Sequence, residues 1–245
     1  MTKKKRLMMI SCIAAVVLLA AVALGIFLFQ NRKAKLKKEE NARLFREFYD
    51  GKLATFEQEN RGNATVDVVF LGDSLTDGCD LATYYPEYVC FNRGIGGDTS
   101  YRLVDRLQVS AYDTSPKAIV LLIGGNDILG GKSLESVYEN YEKIITGLQE
   151  HLPEAKIIWC SLTAMGNDWA KHNDTAMICN QKIKSLSQKY GCTFVDLFTP
   201  LCNPETNEIF ADYTIEGVHL TDAGYRVVSA EIKAALETVL ADQVK

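Results

Sequence analysis

Val68-Val69-Phe70-Leu71-Gly72-Asp73-Ser74-Leu75-Thr76-Asp77-Gly78 holds the first structural signal in the chain. A run of β-branched and apolar residues stops at Gly72, and small polar residues follow before a helix can begin. This is the pattern of a buried strand that delivers the chain to a helix N-terminus. Ser74 at that junction has two readings. Its hydroxyl either caps the helix, because Ser and Asp side chains accept from unpaired N–H groups, or attacks a substrate from a strand-to-helix turn.

Working outward, apolar runs at Val66–Leu71, Tyr88–Phe91, Ala118–Ile123, Lys156–Ser161 and Thr193–Asp196 read as strands. Helical periodicity predicts helices over Tyr101–Leu107, Leu134–His151, Asp174–Tyr190 and Thr221–Leu240. Strands and helices in alternation imply parallel strands with right-handed crossovers, hence an α/β three-layer sandwich on a five-stranded parallel sheet. In such sheets, sites lie beyond the carboxyl ends of the strands. The loops of interest are therefore those after Leu71, Phe91, Ile123 and Asp196.

The chain has 245 residues, enough for one such domain with sequence to spare. Leu7–Phe29 contains no charged residue, and about 20 apolar helical residues suffice to cross a bilayer. A cleaved signal peptide has an apolar core of about 7–15 residues and ends in small residues. This run is longer and ends in Phe27-Leu28-Phe29-Gln30-Asn31-Arg32-Lys33, so a retained transmembrane signal anchor is expected. The expected organisation is a basic tail (1–6), the anchor (7–29), a charged helical stalk (30–63) with a partial apolar stripe of Leu36, Leu44, Phe45 and Phe48, and a folded domain (64–245).

Residues 1–38 hold 9 of the 27 Lys and Arg and no acid, which leaves 18 basic residues against all 31 acidic ones in the remainder. A domain that negative argues against a nucleic-acid partner. The basic residues flank the span instead, where anionic head groups lie. Four precede the span and five follow it, so the positive-inside rule has little asymmetry to act on. A single-pass membrane protein with a short cytoplasmic tail and an extracytoplasmic domain is the expectation, resting on the tiny N-terminal tail. Six cysteines lie outside the span without any C-x-x-C spacing, a count that suits either disulfides or buried free thiols.

The first three loops read Gly72-Asp73-Ser74-Leu75-Thr76, Asn92-Arg93-Gly94-Ile95-Gly96-Gly97-Asp98-Thr99-Ser100 and Ile123-Gly124-Gly125-Asn126-Asp127-Ile128. They offer a hydroxyl at Ser74, bare backbone N–H groups around Gly96 and Gly97, and a side-chain amide at Asn126. Acyl transfer needs a nucleophile and several donors of this kind for the oxyanion. Three histidines are available as a base. His151 ends a predicted helix, where a cap or dipole role is natural, and His172 lies in a polar loop. His219 follows Glu216 by three residues, just before the last helix. That spacing lets the carboxylate bond one ring nitrogen and leaves the other for Ser74. It equally suits a loop acid and a helix-capping histidine.

Taken together, Gly-Asp-Ser-Leu, Asn-x-Gly-Ile-Gly-Gly-Asp-Thr, Gly-Gly-Asn-Asp and Glu-Gly-Val-His-Leu resemble the four blocks of the SGNH, or GDSL, hydrolase family, in order and over roughly Val66 to Leu240. The second block is similar to the platelet-activating-factor acetylhydrolase-like branch. The resemblance implies a flavodoxin-like sheet. Ser74 would be the nucleophile, His219 the general base, and Ser74 N–H, Gly97 N–H and the Asn126 amide the oxyanion hole. Glu216 stands where the family usually has Asp, one methylene longer. The implied activity is a serine esterase with no cofactor and no metal, acting on a small ester, an acylated carbohydrate or a lipid.

Other motifs fail on spacing. Thr76 replaces the last glycine of G-x-S-x-G. Thr99 stands where G-x-G-x-x-G from Gly94 would end, and Asn126 where a P-loop ending at Gly131-Lys132-Ser133 would begin. No H-E-x-x-H or histidine cluster suggests a metal. A cell-surface binding protein of the same fold has the Glu216 change as its only support. Short acyl groups are expected, since the loops between blocks leave no long lid.

Overall fold

The computed structural model describes residues 2–62 and 66–241, with the side chains at positions 5, 7 and 9–23 outside the description. The chain divides into two compact units, Met1–Gly51 and Lys52–Lys245. A single helix, α1 (Lys3–Arg61), makes up nearly all of the first unit and enters the second. Most side chains of the expected span fall outside the description. Among the described residues no helix is long and apolar enough to cross a membrane.

The expected stripe on α1 is not a buried face. Leu36, Leu44 and Phe48 are exposed, and the Lys35–Glu39 and Arg43–Glu47 pairs lace the helix surface at i, i+4 spacing. Burial starts later. The expected boundary at 63/64 falls outside the described residues, and the second unit already begins at Lys52, because Phe56 is buried and Glu59 and Asn60 hydrogen-bond to Arg93.

The second unit is built on five parallel strands: β1 (Val68–Gly72), β2 (Cys90–Gly94), β3 (Ala118–Leu122), β4 (Lys156–Cys160) and β5 (Thr193–Val195), in the order β2-β1-β3-β4-β5. β1 and β3 are buried along their whole length, so they read as unbroken apolar runs rather than alternating ones. Between and after them come α2 (Ser74–Asp77), α3 (Leu81–Tyr84), α4 (Ser100–Asp105), α5 (Gly125–Leu129), α6 (Leu134–His151), α7 (Asn173–Tyr190), α8 (Phe198–Leu201) and α9 (Asp222–Ala241). α7 packs along β4 and β5, and α9 crosses β3, β4 and β5. A short antiparallel hairpin, β6 (Cys202–Asn203) with β7 (Glu208–Ile209), precedes the last loop.

Local signals explain the long helices. In α6, Val137, Tyr141, Ile144, Ile145 and Leu148 fall on one face and are buried, and Ser133 caps the start by accepting from Ser136 N–H at 3.3 Å. α7 stops at Gly191, whose φ of +68° suits a left-handed C-terminal residue. The helix expected over Tyr101–Leu107 is instead α4 followed by a π turn at Gln108–Tyr112.

β2 differs most from expectation. It runs to Gly94, so Asn92 and Arg93 belong to the strand and not to the loop. Their polarity hid the strand, yet each is paired. Asn92 Nδ2 donates to Thr76 O at 2.8 Å and its Oδ1 accepts from Gly94 N–H at 2.9 Å. The Arg93 guanidinium lies 4.6 Å from the Phe56 ring centre and 4.4 Å from that of Phe91, and it donates to Glu59 and to Asn60.

The six described cysteines are all free. Cys160 and Cys179 are fully buried, and burial pushes the Cys79 and Cys90 thiols up to about 12.

Candidate active site

β1 ends on Gly72, and α2 starts two residues later at Ser74. A Cβ on Gly72 would run into the Thr76 side chain and the Leu122 carbonyl, so only glycine lets the helix begin this close to the sheet. Asp73, not Ser74, is the cap: its side chain accepts from Leu75 N–H at 3.1 Å. Ser74 is the first helical residue, and its hydroxyl is free for other work.

That hydroxyl meets His219. Ser74 Oγ lies 3.0 Å from His219 Nε2, and His219 Nδ1 hydrogen-bonds to Glu216 Oε1. The other two histidines are elsewhere: His151 stacks on Tyr112 at a centroid separation of 3.9 Å, and His172 is half-buried at the end of the short turn before α7.

The loop that carries His219 accommodates the longer acid. Glu216 Oε1 also accepts from His219 N–H at 3.3 Å, so the side chain folds back onto its own loop. The next residue, Gly217, has a φ of +100°. It donates to Thr214 Oγ1 at 2.9 Å and accepts from Gly166 N–H at 2.8 Å. A Cβ there would collide with the Gly166 carbonyl. Thr214 Oγ1 and Ile215 N–H both donate to the His219 carbonyl at 2.9 Å, closing the loop on itself.

The donor side is fixed by buried groups. Gly97 turns at a φ of +76°, and Gly96 N–H donates to Asp77 Oδ2 at 3.1 Å. Among the described residues, neither Ser74 N–H nor Gly97 N–H has a hydrogen-bond acceptor. Asn126 Nδ2 donates to Asp98 O at 2.9 Å, which orients the amide. Asp98 in turn pairs with Arg106 at 2.7 Å, both side chains buried, and Arg106 also donates to Gly72 O and Arg93 O. Asp127 accepts from Ser100 N–H and Oγ at 2.8 Å, with Asn140 donating to the same hydroxyl at 3.0 Å. Burial pushes the Asp73 carboxyl up to about 7; the Leu75 hydrogen bond opposes this and the charges of Asp98 and Asp127 add to it.

Beside Ser74 is a pocket of ≈ 30 Å³. Asn126 shares its wall with Ser74, while Gly97 stands on the neighbouring loop outside the lining. Leu162, Thr163 and Met165 complete it from the loop after β4, and Val218 from the histidine loop. The loop after Asp196, expected to contribute, lies at a separate depression with Met177 and Phe194. Sequence reasoning missed the β4 loop because its residues are apolar or small and carry no chemical signature of their own.

The family model described as GDSL-like Lipase/Acylhydrolase matches residues 70–227. No curated protein matches the chain in sequence. Among solved structures, a Streptococcus pneumonia protein provisionally described as a platelet activating factor superposes with a TM-score of 0.77 at 23% identity, covering 82% of this chain and 98% of its own. A GDSL-like lipase from Bacteroides thetaiotaomicron gives 0.69 at 24% identity, covering 77% and 98%. An acetylxylan esterase from Geobacillus stearothermophilus gives 0.59 at 19% identity, covering 70% and 94%.

Proposed function

The chain belongs to the GDSL-like lipase/acylhydrolase family and is a carboxylic ester hydrolase, and we infer that it removes short acyl groups, acetyl foremost, through Ser74, His219 and Glu216. The contact that carries this reading is Ser74 Oγ to His219 Nε2 at 3.0 Å, with Glu216 on the far ring nitrogen. In the proposed reaction His219 Nε2 takes the Ser74 proton as the hydroxyl attacks the acyl carbon. Glu216 holds Nδ1–H and stabilises the imidazolium. Ser74 N–H, Gly97 N–H and Asn126 Nδ2 receive the oxyanion. His219 then protonates the leaving alcohol, and water, activated by the same nitrogen, releases the acid.

Pocket volume supports the choice of a short acyl group. A pocket of ≈ 30 Å³ lined in part by Leu129, Leu162 and Met165 suits an acetyl-sized group better than a long chain, since a single water already needs roughly 10–15 Å³ by the same kind of measure. The alcohol side is open. The His219 and Glu216 side chains are 49% and 45% exposed, so a bulky alcohol, such as an acylated carbohydrate, can approach them. The acetylxylan esterase among the structural relatives is in keeping with this substrate class. The apolar run Leu7–Phe29 supports a single membrane anchor, and the short N-terminal tail before it supports an active site outside the cytoplasm.

A fluorophosphonate probe should label Ser74 in the folded chain, and no adduct would overturn the esterase reading. A p-nitrophenyl ester series from acetyl to palmitoyl should show turnover falling with chain length. Faster turnover of the long esters would reassign the enzyme to lipid substrates.

A further inference from the structure

The end of α1 reaches the short helix that begins at Ser74. Residues 52–61 belong to the unit that holds the sheet, and they are fastened at several points. Phe56 is buried, Arg93 is held between the Phe56 and Phe91 rings while donating to Glu59 and Asn60, and Asn60 Nδ2 donates to Val109 O at 2.7 Å. A helix anchored this way presents Lys52 at a fixed place.

Lys52 Nζ pairs with Asp77 Oδ1. Asp77 is the last residue of α2, whose first residue is Ser74, and its second oxygen accepts from Gly96 N–H at 3.1 Å. The next residue is Gly97, with its left-handed φ of +76° and unpartnered N–H. One carboxylate thus joins a cation on α1, the short helix of the nucleophile, and the turn that offers an oxyanion donor. The two side chains are 32% and 20% exposed, so the pair is screened less than an ion pair in open solvent.

We propose that Lys52 is a positioning residue of the esterase: through Asp77 it sets the Gly96–Gly97 turn at the place where Gly97 N–H meets the developing oxyanion. The proposal rests on the assignment of Gly97 to the oxyanion hole. Without the ammonium, the Asp77 carboxylate is free to turn toward water, and Gly96 N–H loses its fixed acceptor. The donor that matters only in the transition state then drifts while the acyl pocket, lined by other loops, keeps its shape. A displacement of about 1 Å at such a donor is enough to cost up to about a hundredfold in rate.

The test uses the full-length chain in mild detergent with p-nitrophenyl acetate. Lys52→Met should lower kcat by about tenfold with KM within about twofold of the parent and an unchanged melting temperature. Lys52→Arg, which restores the cation, should recover most of the loss. A purely structural lysine would move the melting temperature and leave the kcat-to-KM split untouched. If Lys52→Met does not fold, Lys52→Gln, which keeps a polar but uncharged side chain one bond shorter, carries the same comparison. A folded variant lacking the cation with parental kcat overturns the proposal while fluorophosphonate labelling of the parent still stands. Absence of that labelling in the parent overturns the esterase reading and this one with it.

Discussion

Around Ser74 the supports are buried: Asp73 is 5% exposed, the Asp98 and Arg106 side chains 0% and 1%, and the glycine beneath them ends a strand paired on both sides. Around His219 they are half in water, and the loop is closed mainly by its own hydrogen bonds and by Gly166 N–H to Gly217 O. Ser74 and the proposed oxyanion donors are therefore set by the sheet, and His219 by a short loop against it. Damage to the buried supports of the first region should appear as lost stability as well as lost rate. Damage to the second should appear in the rate alone.

The largest effect tests whether the halves act as one machine. Ser74→Ala and His219→Ala should each lower kcat by about 10⁴-fold or more, with the double variant little worse than either, because a shared proton transfer is lost only once. Steady-state turnover of p-nitrophenyl acetate measures this, and additive losses would separate the two residues. Next comes the buried pair. Arg106→Met strands the Asp98 carboxylate and should destabilise the fold by about 3–5 kcal/mol in chemical denaturation. On the loop side, Glu216→Gln should cost about a hundredfold in kcat with the melting temperature unmoved, while Glu216→Asp keeps activity within about tenfold. A large stability change in Glu216→Gln would break the contrast between the regions.

The smallest effect is a slope. The folded-state Asp73 carboxyl stands near 7, well above its ordinary 3.8, so the folded protein holds a proton there that the unfolded chain has released. That contribution is fully present below about pH 4 and is lost as pH rises through about 7. Asp73→Asn keeps an acceptor for the Leu75 N–H and removes the titration, so its melting temperature should fall less than the parent's across this window. Equal slopes would place the proton elsewhere.

Legibility in the sequence follows the same division. The sheet was readable because β1 and β3 are buried on both faces, which forces continuous apolar runs that few other structures require. The end of β2 was not, since Asn92 and Arg93 look like loop residues until their partners on α2 and α1 are known. Ser74, Asn126 and His219 were readable by residue type at strand ends and loops. The capping role of Asp73 was not separable from that of Ser74, because both side chains suit a helix start and only the backbone geometry assigns the cap. Leu162, Thr163 and Met165 carried no signal, as the wall of the pocket beside Ser74 uses the same residues as a core. Phe56 escaped for a different reason: it follows a long exposed stretch of α1, and nothing in its periodicity marks where burial begins.

The free cysteines set a condition on how the protein is made. With the six described thiols unpaired, and burial pushing those of Cys79 and Cys90 up to about 12, these cysteines ask for no oxidant. Among the described residues no cross-link has to form, so a reducing and an oxidising surrounding present these cysteines with the same folding problem. Were the domain exported as proposed, its described cysteines would call for no disulfide-forming catalyst on the far side.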